Sequence, residues 1–192
     1  MNRSLFSWIW ILTVVTGCNG IWSGSAKYKK LEEKELASGK RVPELFYDMK
    51  LGMSRKEFFS YCWQMHQKGK FLDGENSTSV LCKLDKELNY PVAMNFYPDF
   101  YQDKIYKMRA KFEYVAWAPW NKALSSDSLL LPVIHLFEKW NPGNDFIKLT
   151  DSKDRTIYVK VDGNRRIVIG RYDDAIVKAE YTDLLIEPQI KK

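Results

Sequence analysis

The side chains with the most reactive chemistry in this 192-residue chain are three cysteines and two histidines. A Cys/His hydrolase would need an exposed thiol, from Cys62 or Cys82, beside the imidazole of His66 or His135. Cys62 and His66 lie four residues apart on a segment whose apolar side chains recur at helical spacing, which favours packing over catalysis. We therefore expect no nucleophilic site there and a structural role for His66.

Paired carboxylates are the other groups with catalytic potential. They form three pairs at expected turns: Asp99 with Asp103, Asp151 with Asp154, and Asp173 with Asp174. Hydrolysis would require that a pair shares a cleft, whereas aspartates at turns ordinarily bond to their own backbone or to water. The chain contains no phosphate-binding loop, dinucleotide fingerprint or calcium loop. We expect a protein that is not an enzyme and that uses neither a cofactor nor a metal.

The third cysteine ends the apolar run at the start of the chain. Met1-Asn2-Arg3 is short and basic, the segment Leu5 to Val15 is apolar, and the small residues Thr16 and Gly17 precede Cys18. A membrane-spanning helix needs about 20 apolar residues, and this run is shorter. The pattern predicts a secretory signal peptide over residues 1–17.

Val15-Thr16-Gly17-Cys18 resembles the lipobox of bacterial lipoproteins. The resemblance implies cleavage after Gly17, a diacylglycerol on the sulfur of Cys18 and an acyl chain on the new amino group, so that the membrane is one expected partner. Asn19 stands where enteric lipoproteins retained in the inner membrane usually carry Asp. This implies a lipid-anchored protein of the cell envelope, on the outer membrane and facing the periplasm. The alternative is an ordinary cleaved signal followed by a chance cysteine.

Positive charge is concentrated next to Cys18. The chain carries a formal charge of +6, and residues 18–41 hold six basic side chains against three acidic ones. Without residues 1–41 the remaining body carries only +2, too little for the basic face of a nucleic-acid-binding domain. We therefore expect no nucleic-acid partner. Residues 18–41 either contact anionic headgroups or form a solvated, flexible tether with a frayed helix over Lys27 to Ala37.

A single globular domain is expected over residues 42–188, followed by a tail at 189–192. Its first helix should begin at Leu51-Gly52-Met53-Ser54-Arg55-Lys56-Glu57-Phe58, a capping box, and end near Gly69. A second helix fits Ser128 to Trp140. Strands are predicted at residues 79–86, 92–97, 105–116, 146–149, 157–161, 167–169 and 175–182.

This order of elements predicts an α+β fold. An antiparallel sheet would be covered on one face by two helices, in two layers and with possible tandem α-β-β-β units. The segment 105–116 alternates most clearly, and Lys107, Arg109 and Lys111 should lie on the open face of the sheet.

The same features carry a second resemblance. A helix that opens with Gly52-Met53-Ser54-x-x-Glu57-Phe58 before a meander resembles the small barrel-assembly lipoproteins of the outer membrane. The doubled unit resembles secreted proteins of the β-lactamase-inhibitor type. The resemblance implies a fold, and no binding residue is carried over from either family.

With Cys18 assigned to lipid, Cys62 and Cys82 remain as an even pair in an oxidising compartment. A disulfide between them would close a loop of about 20 residues and contribute roughly 3 kcal/mol. Two buried free thiols are the alternative.

Aromatic residues near two expected turns are candidates for partner binding. One group, Phe96, Tyr97, Phe100 and Tyr101, flanks Pro98-Asp99, and Trp117 and Trp120 lie before the second helix. Aromatic side chains on loops are typical anchors for proteins or sugars. We expect a lipid-anchored protein that binds another envelope protein; the alternative is a glycan-binding module or hydrolase that uses residues 96–120.

Overall fold

The computed structural model describes residues 26–74 and 79–190 of the chain. The helices in these ranges are α1 (Ala26–Ala37), α2 (Arg55–Gln67), α3 (Ser126–Trp140) and the short α4 (Glu187–Ile190). The strands are β1 (Leu72–Asp73), β2 (Val80–Leu84), β3 (Val92–Tyr101), β4 (Lys104–Tyr114), β5 (Ile147–Thr150), β6 (Thr156–Asp162), β7 (Arg165–Arg171) and β8 (Val177–Asp183).

The strands form one eight-stranded antiparallel sheet in the order β1-β2-β3-β4-β8-β7-β6-β5. Each half consists of a helix followed by four antiparallel strands, and the two halves join where β4 pairs with β8. The predicted α+β fold and the tandem arrangement are confirmed. The first unit has one strand more than expected. The sequence does not predict this strand, β1, because it is only two residues long and too short to show an alternating pattern.

The capping box predicted at the start of α2 is present. The Ser54 hydroxyl accepts a hydrogen bond from the Glu57 amide at 3.2 Å, and the Glu57 carboxylate accepts one from the Ser54 amide at 2.7 Å. These bonds satisfy two backbone donors that the first helical turn would otherwise leave without partners. They also turn the buried side chain of Phe58 towards the core.

The main core lies between the helices and one face of the sheet. Met108 and Phe112 of β4 and Tyr181 of β8 are fully buried there, and the Tyr181 ring stacks on Phe137 of α3 at 5.4 Å. Side chains alternate along a strand, so residues between these positions point the other way. Lys107 accordingly lies on the opposite face, where it pairs with Glu180 of β8 at 2.8 Å.

Helix α1 covers part of that opposite face, which the sequence had left open. Its Tyr28 is only 4% exposed and belongs to a second core with Val159 and Val161 of β6, against which Leu31 and Leu36 also pack. The prediction of a flexible tether over residues 18–41 is therefore wrong from Ala26 onward. The apolar side chains of this charged segment are few, but they are spaced so that they reach the sheet together.

Cys18 and the predicted signal peptide at 1–17 lie outside the described residues. At the other end, the predicted tail at 189–192 begins inside α4, which starts with Glu187. The Glu187 carboxylate forms an ion pair with Arg166 of β7 at 2.9 Å and so ties α4 to the sheet.

A buried cluster of charges closes the far end of β6. The Asp162 carboxylate lies 3.1 Å from the Arg165 guanidinium and 3.6 Å from the Lys160 ammonium. It also accepts a hydrogen bond from the backbone amide of Asn144 at 2.7 Å. Burial lowers the pKa of Lys160, while the nearby carboxylate opposes that shift. Gly143 has a φ of 149° and approaches Asp162 so closely that a Cβ atom would collide with the carboxylate.

Candidate functional site

The six aromatic residues proposed from the sequence do not form one surface. Phe96 is 1% exposed and lies in the core, and Tyr97 and Phe100 pack against that core. Their rings lie 6.0 and 6.1 Å from the ring of Phe58 on α2. Tyr101 is half-buried at the end of β3. A partner-binding role for these four residues is not supported, because most of their apolar surface is already covered.

The turn predicted at Pro98-Asp99 is also wrong. Strand β3 continues through these residues, and the chain turns at Gln102 and Asp103, which have φ values of 46° and 63°. Pro98 lies beyond Phe96, the last residue of β3 that pairs with β2, so its missing N–H costs no bond to that strand.

Trp117 and Trp120 lie at the other end of β4, about 35 Å from Tyr101 along an eleven-residue strand. They belong to the connection 115–125, which joins β4 to α3 and includes a short 3-10 helix at Lys122–Leu124. None of the residues 115–125 is fully buried. This connection is therefore the part of the predicted binding region that remains available to a partner.

A cleft of about 820 Å³ opens between this connection, the start of α3 and the turn between β7 and β8. Its lining consists of Trp117, Ala118, Pro119, Asn121, Lys122, Ser125, Asp127, Asp173, Asp174 and Ala175. The volume falls within the range of small-molecule and peptide sites. A smaller cleft of about 340 Å³ shares Asp173 and Asp174 and continues towards Arg171 and Tyr172.

Exposed apolar side chains lie on the same segment of chain as the cleft. Trp120 is 85% exposed, and Val115, five residues earlier, is also exposed. Tyr90, in the turn between β2 and β3, is exposed and packs edge-on against Tyr114 at 6.1 Å. An exposed tryptophan next to a concave surface is the arrangement found at the anchor positions of protein interfaces.

The carboxylates of the cleft are held by neighbouring groups. The Arg171 guanidinium pairs with Asp127 and lies 3.6 Å from Asp174. It also donates to the Ser126 hydroxyl at 3.0 Å. Asp173 accepts hydrogen bonds from two backbone amides of its own turn. With three carboxylates against Lys122 in its lining and Arg171 beside it, the cleft keeps one net negative charge, which suits a partner with a basic group beside an apolar one.

The geometry offers little support for carboxylate catalysis. Asp127 and Asp174 are committed to one arginine, and Asp173 stabilises a turn. The other two pairs are separated by their own partners. Asp99 pairs with Arg109, Asp103 with Arg55, and Asp151 accepts two backbone bonds in its turn and pairs with Arg155.

The thiols are equally unsuited to act as nucleophiles. Burial raises the pKa of Cys62 to about 12 and is also the main cause of the raised pKa of Cys82, so both stay protonated at neutral pH. The His66 ring stacks on Trp63, and its Nδ1 lies 3.1 Å from the Phe71 carbonyl oxygen, next to the end of α2. These contacts agree with a structural role, but the His66 side chain is exposed and not partly buried as the sequence predicts.

Cys62 and Cys82 are both free in the structure; Cys82 is buried, as the alternative of two buried free thiols requires, whereas Cys62 is only half-buried. The Cys82 thiol donates to the Tyr47 hydroxyl at 3.4 Å instead of facing another sulfur. The proposed disulfide is therefore absent from the fold as described, because Cys82 is used in a contact with the segment that precedes α2.

Sequence analysis missed the polar half of the cleft. The sequence did not single out Asp127, and it predicted Asp173 and Asp174 as ordinary turn residues. These residues could have been placed together from the predicted tandem topology, because it puts the start of α3 and the turn before β8 at the same end of the sheet. A second exposed pair, Phe59 and Trp63 on α2, was also missed. The two residues are four apart, so they share one side of the helix, and this side lies outside its buried stripe.

Comparison with family models, curated proteins and solved structures finds no match for this chain. Within residues 26–74 and 79–190, no group of three or more His, Cys, Asp or Glu side chains is placed to hold a metal ion. None of the helices in these ranges combines the length and the apolar character required of a membrane span.

Proposed function

We propose that the protein is a non-enzymatic, lipid-anchored component of a bacterial cell envelope that binds another envelope protein through the cleft beside Trp120. The observation that supports this most is the 85% exposure of Trp120, which lies in sequence between two residues that line the cleft, Pro119 and Asn121. A tryptophan side chain can bury about 150–250 Å² in an interface, and leaving it in water forgoes that contribution.

The chemistry of the cleft defines the expected partner segment. Trp117 and Pro119 offer an apolar wall, and Asp127, Asp173 and Asp174 place carboxylates opposite. A protein segment with an apolar or aromatic anchor next to a lysine or arginine complements both surfaces. Diacylglycerol on Cys18, proposed from Val15-Thr16-Gly17-Cys18, would hold the domain where such envelope partners are found.

Site-specific crosslinking in cells tests the partner. A photo-crosslinking amino acid at position 120 should capture one protein repeatedly, and the same amino acid at position 63 serves as a matched control because Trp63 is also exposed but lies on α2. Trp120→Ala should weaken the isolated complex about 30-fold, the loss typical of an interface anchor. Equal capture from both positions would contradict the proposal, as would saturable glycan binding at Trp120 with no specific protein captured.

The anchor is tested separately. Intact mass of the membrane fraction should show a chain that begins at Cys18 and carries diacylglycerol and acyl groups. Cys18→Ala should release the protein from membranes. A wild-type chain that stays in membranes uncleaved and carries no lipid on Cys18 would refute lipid anchoring and indicate a signal anchor.

A further inference from the structure

Helix α1 separates its charges between two sides. Glu32 and Glu35 face the domain, where the Glu32 carboxylate accepts from Tyr28 and Glu35 accepts from the Gly163 amide at 2.8 Å. The side chains that point outward are mostly basic. Six cations of residues 26–41 are exposed, namely Lys27, Lys29, Lys30, Lys34, Lys40 and Arg41, with one exposed carboxylate, Glu33.

Three of these lysines form a stripe. Lys27, Lys30 and Lys34 are spaced three and four residues apart, which places them in line on one side of the helix. Tyr28 and Leu31 lie on the adjacent side of the helix and pack on the second core. The stripe is therefore fixed relative to the sheet, as it would not be on a flexible tether.

The distance to the proposed lipid anchor is short. Ala26, the first residue of α1, follows Cys18 by eight positions, and eight extended residues span at most about 28 Å. A domain attached at Cys18 must therefore remain within that distance of the bilayer surface. Basic side chains this close to anionic headgroups are attracted to them.

We propose that the outward face of α1, defined by Lys27, Lys30 and Lys34, is a docking surface for an anionic membrane, which fixes the orientation of the domain on the bilayer. This inference rests on the lipid anchor of the proposed function. The Gly163 turn, which α1 contacts through Glu35, lies at one end of β6, and Thr156, which lines the smaller cleft, lies at the other end. The Glu35 contact therefore lies at the end of β6 away from the smaller cleft, which shares Asp173 and Asp174 with the cleft beside Trp120.

Vesicle binding by the full chain tests the docking surface without the anchor. The parent is Cys18→Ser, which cannot be acylated through sulfur, and it is compared on vesicles of phosphatidylcholine and on vesicles of equal parts phosphatidylcholine and phosphatidylglycerol. One variant adds Lys27→Gln, Lys30→Gln and Lys34→Gln. The matched control adds Lys56→Gln, Lys68→Gln and Lys70→Gln, which removes the same charge from exposed positions in and after α2.

The parent should prefer the anionic vesicles, and the preference should fall as salt is added. Each basic residue at such a surface contributes about a fivefold gain, so the α1 variant should lose on the order of a hundredfold of the preference. The control variant should keep nearly all of it. Equal losses in both variants, or no preference in the parent, would overturn the docking surface, whereas an unacylated wild-type chain in cells would refute the anchor alone.

Discussion

Replacement of Asp162 is the most severe single change that the structure predicts outside the apolar core. Its carboxylate lies between two cations, 3.1 Å from Arg165 and 3.6 Å from Lys160. All three side chains are at most 5% exposed. Asp162→Asn keeps the shape and an acceptor for the Asn144 amide but leaves both cations in the interior without a counter-charge.

The magnitude follows from these distances. At an effective dielectric constant of about 20, each of the two contacts is worth about 5 kcal/mol of Coulomb attraction. Much of this attraction only offsets the free energy needed to remove Asp162 from water. Breaking such a buried pair lowers the free energy of unfolding by about 3–5 kcal/mol. Asp162→Ala should cost about 1 kcal/mol more, because the Asn144 amide also loses its acceptor. A domain of this size is stable by only about 5–15 kcal/mol.

Urea unfolding at neutral pH, followed by circular dichroism, measures the loss. Asp145→Asn, which changes an exposed carboxylate next to Asn144 in the sequence, is the control and should change the free energy of unfolding by less than about 0.5 kcal/mol. In a double-mutant cycle, Lys160→Met should make Asp162→Asn less costly by about 1 kcal/mol or more, because one buried cation is gone. A cost below about 1 kcal/mol for Asp162→Asn, or strict additivity with Lys160→Met, would refute the role of the cluster.

Three further outcomes are expected. Burial and the bond to Glu32 raise the pKa of Tyr28 from 10.0 to about 12. Its contribution to stability is therefore complete below pH 10 and lost towards pH 12, so Tyr28→Phe should lose less unfolding free energy over that interval than the wild type. Cys62 and Cys82 should react with iodoacetamide slowly in the native protein and both rapidly in urea, and labelling that requires a reductant would contradict the free thiols. Gly143→Ala should lower the unfolding free energy by at least about 1 kcal/mol, and an unchanged urea midpoint would contradict the collision with Asp162.

The helices and the central strands were predictable because their determinants are local. Ser54 and Glu57 begin α2 through bonds that span three residues, and Gly69, with a φ of 67°, follows its end. The alternation of Met108, Ala110 and Phe112 with polar side chains required one buried and one polar face on β4. These patterns depend only on residues that are close in sequence, so the elements can be predicted from them without knowledge of the tertiary fold.

The turn between β3 and β4 could not be found in the same way. Pro98 is usually a turn residue, yet it lies in a strand beyond the last pair with β2. The true turn uses Gln102 and Asp103 with positive φ angles and contains no glycine. The presence of Pro98 therefore predicted the turn at the wrong residues, and for that reason the aromatic residues around Pro98 were expected on a loop.

Docking of α1 depends on contacts that no local pattern contains. Glu35 bonds to Gly163, which is 128 residues away in the sequence, and Arg166 approaches Glu32 only after β7 has joined the sheet. A segment rich in Lys and Glu ordinarily remains solvated. Here a buried tyrosine and two partly buried leucines, together with these polar contacts, place α1 on the apolar side chains of β6.

The position of the cleft follows from a difference between two halves of similar topology. In the first half, α2 begins against the β3–β4 turn through Arg55, whose amide bonds to the Asp103 carbonyl at 3.0 Å. In the second half, α3 begins against the β7–β8 turn through Ser126, whose amide bonds to the Asp174 carbonyl at 2.8 Å. Both helix starts are therefore held in the same manner.

The segments that lead into these two helices differ in what they bury. Residues 42–53 place Leu45, Phe46, Met49 and Leu51 in the core before α2 begins. Residues 115–125 bury no side chain fully and leave Trp120 in solvent. The first segment fills the space between helix and sheet, whereas the second surrounds a cleft. Stability does not require Trp120 in this position, so under the proposed function Trp120→Ala should impair binding while leaving the unfolding free energy unchanged within about 0.5 kcal/mol.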